Sequence, residues 1–94
     1  MNFEWDNNKS KSNFEKHGIN FNEACEIFKY PRLTVRDDRF NYGEQREISI
    51  GKISEDIIIV IVYTKRHGNL RLISARKANA RERNRYNDYI QTKT

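Results

Sequence analysis

The segment with the clearest chemical character is residues 70–86, where an alternating apolar stretch leads into a helix-like stretch rich in arginine. Its six cations are Arg71, Arg76, Lys77, Arg81, Arg83 and Arg85. A single acid, Glu82, opposes them within the segment, and such a density of like charge destabilises a fold unless an anion binds to it. Guanidinium groups form paired hydrogen bonds with phosphate, so the pattern predicts a polyphosphate partner, with nucleic acid as the first candidate.

Any one of these arginines, taken singly, fits an ordinary solvated surface, because exposed charge is normal. The cluster as a whole favours an anionic ligand. Arg71 and Arg76 stand apart from the others because one is predicted on the last strand and the other just beyond it. A rigid element would then position them, as a functional site requires.

Several residues could move protons, and each also has a structural interpretation. Glu44 and Glu47 lie beside Arg46 at the start of a predicted strand, where they could act in catalysis or form surface ion pairs. His17 lies just before Gly18, so it either stabilises a helix C-terminus or transfers protons, and the sequence leaves both roles open. Glu82 has the spacing of a helix cap, which we favour over a catalytic base.

The sequence does not predict a metal site or a cofactor. His17, His67 and Cys25 lack the number and spacing of zinc ligands, and the four glycines are isolated rather than grouped in a phosphate-binding loop. Cys25 lies mid-helix and is interpreted as a small buried hydrophobe rather than a nucleophile. Trp5 and Tyr63 are either core residues or platforms for base stacking, with the core favoured.

Composition narrows the class of protein. The chain has 94 residues, 36% of them hydrophobic, which predicts one domain over residues 1–94. A net charge of +5 and a pI of about 9.5 indicate a nucleic acid or an acidic protein as partner. The longest apolar run, residues 57–63, is too short to span a membrane, and no amphipathic segment predicts membrane binding. One cysteine and no secretory leader predict a reducing compartment, by default the cytoplasm.

The element order β-α-α-β-β-β-β-α predicts an α+β domain with a largely antiparallel sheet. Predicted strands cover residues 3–5, 33–35, 46–53, 57–63 and 70–74. Predicted helices follow the caps Asp6, Asn20 and Asn79, the second running to about Tyr30, and a basic hairpin loop covers residues 65–69. Residues 57–63 are apolar on both faces, which predicts a central strand whose second face is partly covered, with a partner chain as one candidate for the cover.

Several sequence blocks together resemble a known family, the BrnT toxins of bacterial type II toxin–antitoxin systems. The resemblance spans residues 3 to about 89. It is carried by Trp5-Asp6, Lys16-His17-Gly18-Ile19, Gly43-Glu44, Ile73-Ser74-Ala75-Arg76, Glu82-Arg83 and Tyr86. It implies a RelE-like fold and a ribonuclease that arrests growth without a metal ion. It also implies a BrnA-like ribbon-helix-helix antitoxin, and a complex that represses its own operon by contacting operator DNA through the antitoxin.

The leading hypothesis is therefore an endoribonuclease in which the ribose 2′-OH attacks the adjacent phosphate. Such a site needs proton transfer and cations that stabilise the phosphorane. We assign phosphate binding to Arg46, Arg66, Arg71 and Arg76, and proton transfer to His17 and Glu44. RNA or antitoxin binding is assigned to Lys16, Arg81, Arg83, Arg85 and Tyr86. The alternative is a non-catalytic nucleic-acid-binding or co-repressor module, which needs the same cations but no acid–base residues.

Overall fold

The computed structural model describes residues 2–39 and 41–93, and its elements follow the predicted order. They are β1 (Asn2–Glu4), α1 (Asn7–His17), α2 (Phe21–Ala24), a 3₁₀ helix (Cys25–Lys29), β2 (Leu33–Asp37), β3 (Arg46–Ser54), β4 (Ile57–Arg66), β5 (Asn69–Lys77) and α3 (Ala80–Lys93). The strands form one sheet in the order β1-β5-β4-β3-β2. Only the β1–β5 pair among them is parallel, so the predicted α+β class and the largely antiparallel sheet are confirmed.

The predicted helix caps are present. The Asp6 carboxylate accepts hydrogen bonds from the backbone N–H groups of Asn8 and Lys9, and Gly18 ends α1 in the left-handed conformation with φ 72°. Asn20 and Glu23 form the predicted capping box. Each of these signals lies within a few residues of the helix end that it specifies.

The second helix differs from the prediction of one helix to about Tyr30. It is α-helical only over Phe21–Ala24 and then tightens into the 3₁₀ helix Cys25–Lys29. Tyr30 precedes Pro31, which excludes helical backbone there, and Tyr30 is accordingly extended with φ −130° and ψ 167°. The helix therefore ends at Lys29, and β2 begins soon after it, at Leu33.

The central strand β4 separates two cores, as its apolar sequence predicts. Ile59 and Ile61 pack with Phe21 on one side, which we call the α2 face. Ile58 packs with Tyr86 of α3 on the other side, which we call the α3 face. The second face is thus partly covered, as predicted, and the chain's own C-terminal helix supplies this cover.

Strands β4 and β5 extend further than predicted. The hairpin loop is the two-residue turn His67-Gly68, with φ 52° and 82°, rather than the whole of residues 65–69. Arg66 therefore ends β4, and Arg76 lies within β5 rather than beyond it. Both arginines are held by strand backbone. Within the described residues no helix is long and apolar enough to cross a bilayer.

The buried side chain of Asn13 joins α1 to β5. Its Nδ2 donates to the carbonyls of Ile19 and Ala75 at 2.8 and 2.7 Å, and its Oδ1 accepts from the N–H of Ala75 at 3.1 Å. Asn13→Ala should lower the free energy of unfolding by about 1–3 kcal/mol, because buried backbone groups would lose their partners. Urea unfolding measures this loss, with Lys11→Ala on the exposed side of α1 as control. Equal stabilities for the two variants would contradict the anchoring role.

Candidate active site

The register of the sheet brings predicted site residues from separate strands onto one face. Arg46 of β3 pairs with Thr64 of β4, which pairs in turn with Arg71 of β5. Arg76 pairs with Val60, a residue of the core beneath α3. Alternate strand residues share a face, so these three arginines all lie on the α3 face.

Glu44 lies between two of the arginines. Its Oε1 is 3.6 Å from Nη2 of Arg46, and its Oε2 is 3.4 Å from Nη2 of Arg66. The Arg46 guanidinium also stacks on the ring of Tyr42, 3.9 Å from the ring centroid. The structure thus brings together the predicted proton acceptor and two predicted phosphate ligands.

Carboxylates also hold the other two arginines. Glu4 of β1 lies 3.8 Å from Arg71. Glu82 binds Arg76 through two hydrogen bonds of 2.8 and 2.7 Å and still accepts from the Asn79 N–H at 2.9 Å, so its predicted capping role is confirmed. The bond from Arg76 lowers the pKa of Glu82, and the same bond raises the pKa of Arg76. Glu82 is the one acid within residues 70–86, and β1 supplies a second carboxylate from outside that segment.

A further arginine on this face was not among the predicted site residues. Arg39 donates to both oxygens of the buried Asp37 carboxylate, and the Tyr42 hydroxyl donates to Oδ2 of Asp37 at 3.1 Å. The bond from Arg39 lowers the pKa of Asp37 to about 2. The charge of Arg39 also acts on Arg76, opposing the increase in its pKa, so the two guanidinium groups lie within electrostatic range.

The sequence contains a signal for the hydrogen-bonded group of Asp37, Arg39 and Tyr42. Leu33, Val35 and Asp37 alternate, so Asp37 continues the apolar face of β2. A carboxylate in such a position needs a cationic or hydrogen-bonding partner. The nearby Arg39 and Tyr42 supply both.

We call Arg39, Arg46, Arg66, Arg71 and Arg76 the arginine cluster. Ile48 of β3 and Val62 of β4 are paired neighbours on the α3 face. Along the strands they lie between Arg46 and Arg71 on one side and Arg76 on the other. Arg46, Arg71 and Arg76 thus border a partly apolar patch of the α3 face, while Arg66 joins the cluster through Glu44 and Arg39 lies beside it on Asp37. The carboxylates that hold them reduce their mutual repulsion and restrict their orientations.

Lys16 and His17, two other predicted site residues, lie outside the arginine cluster. Both lie in the exposed last turn of α1, the helix that Asn13 joins to β5. Among residues 2–39 and 41–93, neither forms a hydrogen bond or an ion pair with the arginine cluster. The position of His17 fits a basic residue that stabilises a helix C-terminus. The structure does not bring it together with Glu44.

The residues of α3 divide into exposed cations and a buried tyrosine. Arg81, Arg83 and Arg85 are exposed, and Arg83 also donates to the carbonyl of Ala78 at 3.0 Å. Tyr86 is only 3% exposed and packs in the core of the α3 face. The sequence had suggested that Tyr86 contacts RNA or an antitoxin. Its burial indicates instead that Tyr86 is a packing residue.

The remaining candidate groups have structural roles. Burial raises the pKa of the Cys25 thiol to about 11, which keeps it in the unreactive protonated form. Tyr63 is buried and its hydroxyl shares a 2.8 Å hydrogen bond with Ser49, while Trp5 packs edge-on against Phe21. Within the described part of the chain, no group of three or more His, Cys, Asp or Glu side chains could hold a metal ion.

This arrangement is suited to binding a phosphodiester backbone. Guanidinium groups remain protonated through a reaction and can stabilise charge that grows on phosphorus. Glu44 is a carboxylate within the same cluster that can accept a proton. The site thus combines the two functions that RNA cleavage by an internal nucleophile requires.

Comparison with known proteins identifies the family of the chain. No curated protein sequence matches the chain significantly. The chain is similar to the Brucella abortus ribonuclease toxin BrnT, whose crystal structure matches with a TM-score of 0.63 and 26% identity, covering 84% of this chain and 97% of that one. The family model for the ribonuclease toxin BrnT of type II toxin–antitoxin systems matches residues 5–82, which include Glu44 and the whole arginine cluster. The chain therefore belongs to the BrnT family of ribonuclease toxins of type II toxin–antitoxin systems.

Proposed function

We propose that this chain is an endoribonuclease toxin that cleaves RNA without a metal ion. The single observation that carries the proposal is the arginine cluster on the α3 face, with Glu44 between Arg46 and Arg66. In the proposed reaction the ribose 2′-oxygen attacks the adjacent phosphorus and the bond to the 5′-oxygen breaks. The products are a 2′,3′-cyclic phosphate and a free 5′-hydroxyl.

In this mechanism Glu44 accepts the proton of the 2′-OH. A water molecule carries the proton back to the departing 5′-oxygen, so the carboxylate is regenerated. Arg46, Arg66, Arg71 and Arg76 bind the phosphate and stabilise the phosphorane, because fixed cations act more strongly in a preorganised site than in water. His17 is not needed for this route, and Glu44 is the predicted proton acceptor that contacts Arg46 and Arg66.

We further propose that the toxin acts in the cytoplasm and is neutralised there by a BrnA-like antitoxin with a ribbon-helix-helix part. The complex would contact operator DNA through the antitoxin and repress its own operon. Arg81, Arg83 and Arg85 of α3 support an acidic partner, since they are exposed and lie outside the arginine cluster.

The proposal predicts that the purified chain shortens single-stranded RNA equally well with EDTA and with Mg²⁺. Gel analysis would detect the fragments, and phosphatase resistance of their 3′ ends would identify the cyclic phosphate. The non-catalytic alternative predicts that RNA is retarded in a native gel but stays intact. Cleavage that EDTA abolishes would contradict metal independence.

A further inference from the structure

Arg39 is fixed at the border of the site by a buried acid. It follows the edge strand β2, and its Nε and Nη2 donate to the two oxygens of Asp37 at 2.8 and 3.0 Å. The Asp37 side chain is 0% exposed, whereas that of Arg39 is 61% exposed. The pair therefore holds an outward-facing guanidinium against a rigid strand.

Arg39 retains capacity to bind a ligand. A guanidinium has five N–H donors; two of those of Arg39 are directed at Asp37, its side chain also interacts with the Tyr42 hydroxyl, and 61% of it is still exposed. Asp37 also accepts from Tyr42, so its charge is shared between two donors. The donors of Arg39 that face neither Asp37 nor Tyr42 lie on its exposed side, where an anion can reach them.

Arg39 is connected to the rest of the arginine cluster. Tyr42 contacts Asp37 through its hydroxyl and Arg46 through its ring. The charge of Arg39 is also felt at Arg76. One phosphodiester carries a single negative charge and two non-bridging oxygens, too few to engage all five guanidinium groups. The proposed reaction already assigns Arg46, Arg66, Arg71 and Arg76 to that phosphate, so a neighbouring phosphate of the same strand is the better ligand for Arg39.

We propose that Arg39, anchored by Asp37, binds a phosphate that neighbours the one being cleaved, and so helps to set the path of the RNA strand over the α3 face. This inference rests on the proposed function, since it takes an RNA backbone as the ligand of this face. Arg39 acts in binding and not in the bond-breaking step.

The test measures the binding of RNA that carries 2′-O-methyl groups, which keeps every phosphate and removes the nucleophile. Arg39→Ala should weaken binding about tenfold, the loss of one charge-assisted contact. The slope of log Kd against log salt concentration should fall by about 0.7, as for one phosphate contact on a single strand. Arg36→Ala is the matched control, because Arg36 pairs with Glu47 on the α2 face and has its own carboxylate partner, Asp38, at 3.2 Å.

A second variant separates a loss of RNA binding from a loss of folding, because Arg39→Ala leaves the buried Asp37 without its arginine partner. Arg39→Gln keeps a donor beside Asp37 but removes the charge, and it should show the same fall in salt slope with an unfolding midpoint near that of the unmodified chain. Unchanged affinity and slope in both variants would overturn the inference, as would an equal loss in Arg36→Ala. Failure of the unmodified protein to cut unmodified RNA would instead overturn the proposed function.

Discussion

Arg76→Ala should lower the rate of RNA cleavage by about 10² to 10³-fold, the usual effect of removing one well-placed donor to a developing charge. Arg76 lies within β5 and is held by two hydrogen bonds to Glu82, so its guanidinium is already oriented before RNA binds. Cells that express the variant should therefore grow where cells with the unmodified toxin do not. Cleavage rates of purified protein and colony formation measure the two effects.

The fold should survive this substitution because Glu82 keeps its bond to the Asn79 N–H and thus still caps α3. Circular dichroism of the variant checks this. Arg36→Ala, which removes an exposed arginine on the α2 face outside the cluster, serves as the control and should leave cleavage nearly unchanged. A soluble, folded Arg76→Ala protein that still arrests growth would show that the site is misplaced.

Glu44→Gln should lower the cleavage rate by about 10² to 10⁴-fold, the range expected when a general base is removed. Glutamine has nearly the same shape but cannot accept the proton of the 2′-OH. The substitution also removes a negative charge between Arg46 and Arg66, so RNA binding should become tighter rather than weaker. A fall in kcat without a rise in KM would therefore separate the loss of a base from the loss of a binding residue.

Glu47→Gln is the matched control for this experiment. Glu47 lies three residues along, has a similarly exposed side chain and pairs with Lys65, but it belongs to the α2 face. Its replacement should leave kcat and KM close to those of the unmodified enzyme. If Glu44→Gln cleaved RNA at the unmodified rate, Glu44 would be an anchor for arginines and not the proton acceptor.

The residues alone predicted the element order and most helix ends, because those signals are local. Asp6, Gly18 and the Asn20–Glu23 pair act on backbone within a few positions of themselves. The ends of β4 and β5 were less predictable. Their last residues are polar and basic, so no apolar alternation marks them, although the register continues to Arg66 and Lys77.

Only the tertiary structure decided which of the predicted residues lie together, that Arg39 joins them, and which carboxylates hold these arginines. Glu4 meets Arg71 because β1 pairs with β5, and Arg76 meets Glu82 because α3 folds back onto the second face of the sheet. The packing of α3 on the sheet also buries Tyr86. His17 ends α1 and is not brought together with Glu44. A sequence specifies the types and spacing of these side chains. The faces and partners they acquire depend on strand register and helix packing, which join residues far apart in the chain.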